Sequence, residues 1–140
     1  MNPTVIIDCS VTIAWCFDDE ATPETDRLRQ KVAREAALVP VHWMLEVVNV
    51  LHVAERKKRL TPAKSSEFLR LLGGFDIQTD AVSPAGAGAD RLLSLCRAHG
   101  LTSYDAQYLD LALRERLPLA TLDGDLRKSA AKAGLTVLGQ

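Results

Sequence analysis

Short aliphatic runs recur along this chain, each followed by a stretch whose apolar residues have helical spacing. Val5-Ile6-Ile7 is a continuous β-branched run ending at Asp8, the pattern of a strand buried on both faces. A helical stretch through Ile13 and Trp15 follows. Pro23-Glu24 opens a second helix reaching about Ala37, and Leu38-Val39-Pro40-Val41 reads as a short extended segment. His42 to Arg59 is a long helix, apolar almost all round and therefore expected to be mostly buried, broken by Leu60-Thr61-Pro62. Thr61 as N-cap and Pro62 at the first helical position begin the next helix, which ends at Gly73-Gly74. Phe75 to Thr79 reads as a strand, and the Pro-, Gly- and Ala-rich stretch from Ser83 to Ala89 as a loop or the start of a helix. Helices are expected over Ala89 to Ala98, closed by Gly100, and over Tyr104 to Glu115. Leu117 to Thr121 is a strand feeding Asp123, a helix runs from there to Ala133 and stops at Gly134, and Leu135 to Leu138 is the last strand. Short apolar strands separated by helices imply parallel pairing. The expected class is α/β: a three-layer α/β/α sandwich with a central parallel sheet, in one domain over residues 1–140 with no internal repeat or linker.

Composition narrows the chemistry. Apolar residues are 47% and charged residues 25% of the 140, ordinary for a soluble globular protein. The formal charge of −1 gives no global basic footprint, so any nucleic-acid contact is local. Cys9, Cys16 and Cys96 form no CxxC pair, which points to free thiols in a reducing compartment. Met1-Asn2-Pro3-Thr4 lacks the opening of a signal peptide and no run is long enough to span a bilayer, so the expected location is cytoplasmic, with no membrane partner.

Four acids stand where the pattern offers little structural excuse: Asp8, Glu46, Asp105 and Asp123. A buried carboxylate must be paired, hydrogen-bonded or cation-bound, because a free buried charge is too costly. Asp8 and Asp123 follow strands, and ligands of open α/β sheets bind at the carboxyl ends of strands. The structural alternative for each is a helix N-cap; Ser10 competes with Asp8 for that role, and Asp123-Gly124-Asp125 is an ordinary helix opening. Asp125 either complements the helix dipole from the first turn or stands close to the metal. Glu46 sits among Trp43, Leu45, Val47 and Val50 and shares a helix face with His42 and Asn49; its structural alternative is an arginine partner from another helix. Asp105 follows Thr102 in a capping-box pattern.

Carboxylates brought together repel one another unless a divalent ion holds them. An all-oxygen donor set suits Mg²⁺ or Mn²⁺ rather than zinc. His42, His52 and His99 read as core or surface histidines. Cys9, with no histidine placed as its base, reads as a small core residue.

Val5-Ile6-Ile7-Asp8-Cys9-Ser10, Pro40 to Leu51 with Glu46 and Asn49, Ser103-Tyr104-Asp105-Ala106-Gln107-Tyr108, and Leu117 to Asp123 resemble the motifs of PIN-domain ribonucleases, in particular the VapC-type toxins of bacterial toxin–antitoxin pairs. The resemblance covers nearly the whole chain and keeps the motifs in order. It implies a Mg²⁺- or Mn²⁺-dependent endoribonuclease that cuts RNA by in-line attack of water, leaving a 5′-phosphate and a 3′-hydroxyl. It also implies a homodimer silenced by a small VapB-like antitoxin. Carried over, Asp8, Asp105 and Asp123 hold the metal, directly or through water. Glu46 binds a second metal or orients the attacking water. Ser10, Asn49 and Thr121 fix the carboxylates.

Two further features are open on sequence alone. Arg56-Lys57-Lys58-Arg59, like Arg114 and Arg116, is either a phosphate-contacting patch or a set of cations at helix ends. Trp15 and Phe17 are core or interface aromatics. Rival functions are a haloacid-dehalogenase-type phosphatase, a receiver domain, a DNA-directed nuclease of the same type, and a non-catalytic PIN-like binding module. The first needs a second Asp where this chain has Ser10; the second needs a lysine at a late strand end.

Overall fold

The structure, a computed structural model, describes residues 1–82 and 85–140. Five parallel strands form the central sheet: β1 (Pro3–Ile7), β2 (Ala36–Val39), β3 (Ile77–Thr79), β4 (Leu119–Ala120) and β5 (Val137–Leu138). Around them, among the described residues, are α1 (Cys9–Ala14), α2 (Pro23–Arg34), α3 (Trp43–Arg56), α4 (Pro62–Gly73), α5 (Ala87–His99), α6 (Ser103–Glu115) and α7 (Gly124–Lys132). A single 3-10 turn covers Asp18–Glu20. The result is the expected α/β/α sandwich with a parallel sheet. No described helix is long and apolar enough to cross a membrane.

The strand order is β3-β2-β1-β4-β5. From β1 the chain builds outward to one side through β2 and β3, then crosses back to place β4 and β5 on the other. The direction of winding therefore changes between β1 and β4, and there a crevice opens at the carboxyl ends of the strands. The central strands carry the core: Val5, Ile6, Ile7, Ala37, Val39, Leu119 and Ala120 are all buried. Burial on both faces explains their uninterrupted apolar runs.

Several boundaries fall short of expectation. α2 stops at Arg34 because Glu35 turns extended (φ −128°, ψ 166°), so Ala36 and Ala37 belong to β2. α3 ends at Arg56, closed by Lys57, with Lys58 left-handed at φ 58°. β4 is only two residues long. Of the expected loop after β3, Ser83 and Pro84 lie outside the described residues, and α5 already begins at Ala87. Pro62 and Gly100 act as expected at the ends of α4 and α5.

α3 is the largest departure. Trp43, Val47, Leu51 and Ala54, spaced at helical intervals, are buried, but Met44, Leu45 and Val48 face solvent, Leu45 at 71% exposure. Apolar composition all round does not bury a helix that packs on one side only. Val41, ahead of α3, adds to the same uncovered apolar surface.

Gly139 closes the fold over β4. Its φ is +113°, and a Cβ there would lie 3.1 Å from the Thr121 carbonyl oxygen and 3.3 Å from Val11 Cγ1, so the close approach requires glycine.

Candidate active site

β1 delivers Asp8 to the crevice. Its backbone N–H donates to Ala120 O at 3.1 Å, which sets Asp8 beside Thr121. Asp8 is also the N-cap of α1: Oδ1 accepts from Val11 N at 3.2 Å and from Ser10 Oγ at 2.6 Å, while Oδ2 accepts from the Thr121 hydroxyl. The cap reading of Asp8 is therefore realised, and the same carboxylate stands at the carboxyl end of β1. Ser10 and Thr121 bind each other's surroundings as well. Leu122 N donates to Ser10 Oγ at 2.8 Å, and Asp123 N to Thr121 Oγ1 at 3.0 Å. Arg127 Nη1 donates to Thr121 O at 2.7 Å and Leu138 O at 3.0 Å, pinning the end of β4 to β5.

Asp8 is 5% exposed, yet no Lys or Arg among the described residues pairs with it. The contrast lies in the same chain. Asp110, equally buried, receives Arg91 and Arg114, and Asp80 receives Arg114 at 2.7 Å. The fold gives its structural acids arginines and gives Asp8 only dipoles. Burial pushes the Asp8 carboxyl up to about 6, against the pull of the Ser10, Thr121 and Val11 hydrogen bonds, and the Asp105 charge adds to the rise.

Glu46 projects from the first turn of α3, a third exposed. Among the described residues no arginine meets it. Tyr108 of α6 donates its hydroxyl to Oε1 at 2.6 Å, and His42 Nε2 lies 3.5 Å from the same oxygen without forming a hydrogen bond. Oε1 is thus held and Oε2 is left free. Tyr108 closes the Ser103–Tyr108 motif, but the sequence assigns it no role. Its spacing of three from Asp105, on one face of α6, is the signal that could have found it. Burial and the Glu46 contact push the Tyr108 phenol well above its ordinary range, so it remains a donor. If Glu46 holds an ion, replacing Tyr108 with Phe is expected to weaken Mn²⁺ affinity about 10- to 100-fold by calorimetry, the range for losing a group that orients a ligand.

Asp105 follows the Thr102 N-cap of α6, whose hydroxyl accepts from Asp105 N at 3.2 Å. Only that half of the capping box forms, and the carboxylate is left facing the other acids. Burial raises its pKa, then the charges of Asp123 and Glu46, with a smaller contribution from Asp125; His42 opposes them. Asp123 caps α7 through Leu126 N at 2.9 Å and is otherwise exposed. Asp125 is exposed in the first turn of α7 and acts on Asp105 more weakly than Asp123 does.

Asp8, Glu46, Asp105 and Asp123 thus share one electrostatic environment, grading from buried Asp8 to exposed Asp123. Asn49 stands exposed one turn beyond Glu46 and, among the described residues, hydrogen-bonds none of these carboxylates. Among the described residues, no three His, Cys, Asp or Glu side chains close tightly enough to grip one ion directly. The donor set nevertheless fits a hard divalent cation: it is all oxygen, uncompensated by Lys or Arg, and Mg²⁺ keeps several waters and binds through one or two carboxylates. Cys9, beside Asp8, has its thiol pushed up to about 12 by burial and the Glu46 and Asp8 charges, which removes it as a nucleophile at neutral pH.

The basic residues at the end of α3 serve the fold in part: Arg59 pairs with Asp19 and Glu20 and lies 3.8 Å over the Phe17 ring. Trp15 packs edge-on against Phe75.

No curated protein sequence matches the chain. Among solved structures, PAE2754 from Pyrobaculum aerophilum aligns with a TM-score of 0.71 at 24% identity, over 96% of this chain and 83% of the other. Mycobacterium tuberculosis VapC20, described as a Sarcin-Ricin loop cleaving toxin, aligns at 0.63 and 14% identity, over 95% and 97%. FitAcB from Neisseria gonorrhoeae aligns at 0.59 and 16%, over 95% of each chain. At these identities the likeness is one of fold. The model of the PIN domain matches residues 5–132, nearly the whole length, and by that match the chain belongs to the PIN-domain family.

Proposed function

We propose that this protein is a metal-dependent endoribonuclease of the VapC type. PIN domains are generally nucleases. The observation that carries the reading is Asp8: a buried acid left without a cation in a chain that supplies arginines to its other buried acids, at the point where the sheet's winding reverses. Asp8, Asp105 and Asp123 would hold Mg²⁺ or Mn²⁺, directly or through water, with Glu46 holding a second ion or orienting water. When bound, the ion supplies neutralisation of charge on the phosphodiester oxygens and a lowered pKa for its water. Ser10 and Thr121 hold Asp8 in one rotamer, so no ordering is needed when substrate arrives. Tyr108 holds Oε1 of Glu46 and leaves Oε2 as the acceptor for a water proton.

The substrate is RNA, cut to a 5′-phosphate and a 3′-hydroxyl in the cytoplasm. A small antitoxin silences the enzyme. The uncovered apolar surface of Val41, Met44, Leu45 and Val48 supports a homodimer. Ser10, in the place where a haloacid-dehalogenase phosphatase carries its second Asp, donates a hydrogen bond to Asp8 instead. The experiment is incubation of total RNA with purified protein in Mg²⁺ and in EDTA. Cleavage in Mg²⁺ that stops in EDTA is expected. RNA left intact in Mg²⁺ and Mn²⁺ would return the chain to a non-catalytic binding module.

A further inference from the structure

Of the two Trp, two Tyr and three Phe, only Tyr104 has most of its surface in solvent, 62% exposed. It lies in the first turn of α6, directly before Asp105. Its hydroxyl makes no hydrogen bond among the described residues. The ring is braced from beneath: its centroid is 5.8 Å from that of His42, tilted by 57°. His42 in turn stands edge-on to Tyr108 at 5.1 Å, and Tyr108 donates to Glu46. Both His42 ring nitrogens are buried without a hydrogen bond, so this side chain serves its surroundings as a packed ring. A continuous column of rings therefore runs from Glu46 to an open aromatic face on the surface.

Resting on the nuclease reading above, we infer that Tyr104, backed by His42, is the platform on which an unpaired nucleobase next to the scissile phosphate stacks. The argument is one of charge and place. The carboxylates around the site repel an RNA backbone, so affinity there must come from a neutral surface or from the ion. An exposed π-face takes any base without reading its edge, and proteins that bind single strands use aromatic rings in this way. A base must be unstacked to lie there, so the site selects single-stranded stretches and loops over duplex.

The test is binding of a fluorescein-labelled single-stranded RNA, read by anisotropy in Ca²⁺, for the wild type, Tyr104→Ala and Tyr104→Phe. Base–aromatic stacking predicts that Tyr104→Ala weakens binding about 5- to 150-fold. Tyr104→Phe should stay within about twofold, because a phenyl ring offers the same stacking face. The loss should be nearly independent of salt, unlike a phosphate contact. Moving an abasic nucleotide along the RNA should find one position at which wild type and Tyr104→Ala bind alike. Equal binding by wild type and Tyr104→Ala overturns the inference. So does a loss in Tyr104→Phe as large as in Tyr104→Ala, an abasic series with no such position, or no RNA binding by the wild type. Cleavage of the same RNA by the wild type in Mg²⁺ is scored separately. Tyr104-dependent binding without cleavage overturns the nuclease reading and leaves the platform standing.

Discussion

Asp8→Asn is expected to abolish the proposed Mg²⁺-dependent RNA cleavage, by about a hundredfold or more in rate, and to leave the protein as stable as the wild type or more so at pH 7.5. The first half follows from the several kcal/mol that a divalent ion contributes to phosphoryl chemistry, with about 1.36 kcal/mol for each tenfold in rate. The second half follows from burial. The Asp8 pKa rises from 3.8 to about 6 on folding, chiefly by desolvation, which makes ionisation of this one group in the folded state cost about 3 kcal/mol. Asparagine keeps an oxygen for Val11 N and removes the charge. Because the folded pKa is raised, the stabilisation from a protonated Asp8 is complete below about 3.8 and is lost as the pH climbs through about 6. In EDTA, the melting temperatures of wild type and variant should converge in acid and separate above pH 6, with the variant higher. A wild type that stays the more stable form at pH 7.5 would contradict the account.

Arg114→Ala has the opposite character and is expected to destabilise the fold by about 3–5 kcal/mol, the cost of leaving a buried charge unpaired. Arg114 donates to Asp80 at 2.7 Å and to Asp110 at 2.9 Å, and its removal leaves the Asp80 charge with no cation among the described residues and only the Val82 N–H at 3.4 Å. Chemical denaturation midpoints measure the loss. Asp110 also reverses the pH argument. Burial raises its pKa, but the Arg91 and Arg114 hydrogen bonds outweigh that and hold it below the ordinary carboxylate range. Its contribution is therefore present above the ordinary carboxylate pKa and lost as acid protonates it. One chain thus contains an acid that the fold uses and an acid that the fold tolerates, and pH separates them.

Sequence pattern placed much of this. The uninterrupted run Val5-Ile6-Ile7 ending in Asp8 identifies a central strand and the acid beyond it, because burial on both faces forbids alternation. Thr61-Pro62 and Gly100 mark helix ends by backbone chemistry that acts locally. The losses are where distance or packing decides. His42, Glu46 and Asn49 share a helix face, but each residue climbs about 1.5 Å along the axis, and a face does not say where the site stops. Tyr108 meets Glu46 across 62 residues of sequence, a contact set by how α3 and α6 pack. The exposure of Leu45 has the same origin: composition reports what a helix can bury, and only packing reports what it does bury. The roles of Arg114 and Arg59 turned on acids elsewhere in the chain, Asp80 and Glu20, that pattern alone could not bring to them.

Two of the four acids, Asp8 and Asp123, begin helices as well as line the crevice. Asn and Ser cap helices about as well as Asp. A descendant carrying either at these positions would keep its architecture while its chemistry vanished, and at Asp8 it would melt no lower than its ancestor. Inactivation by drift would not unfold the chain, so a catalytically dead relative has to be recognised from two side chains rather than from its shape.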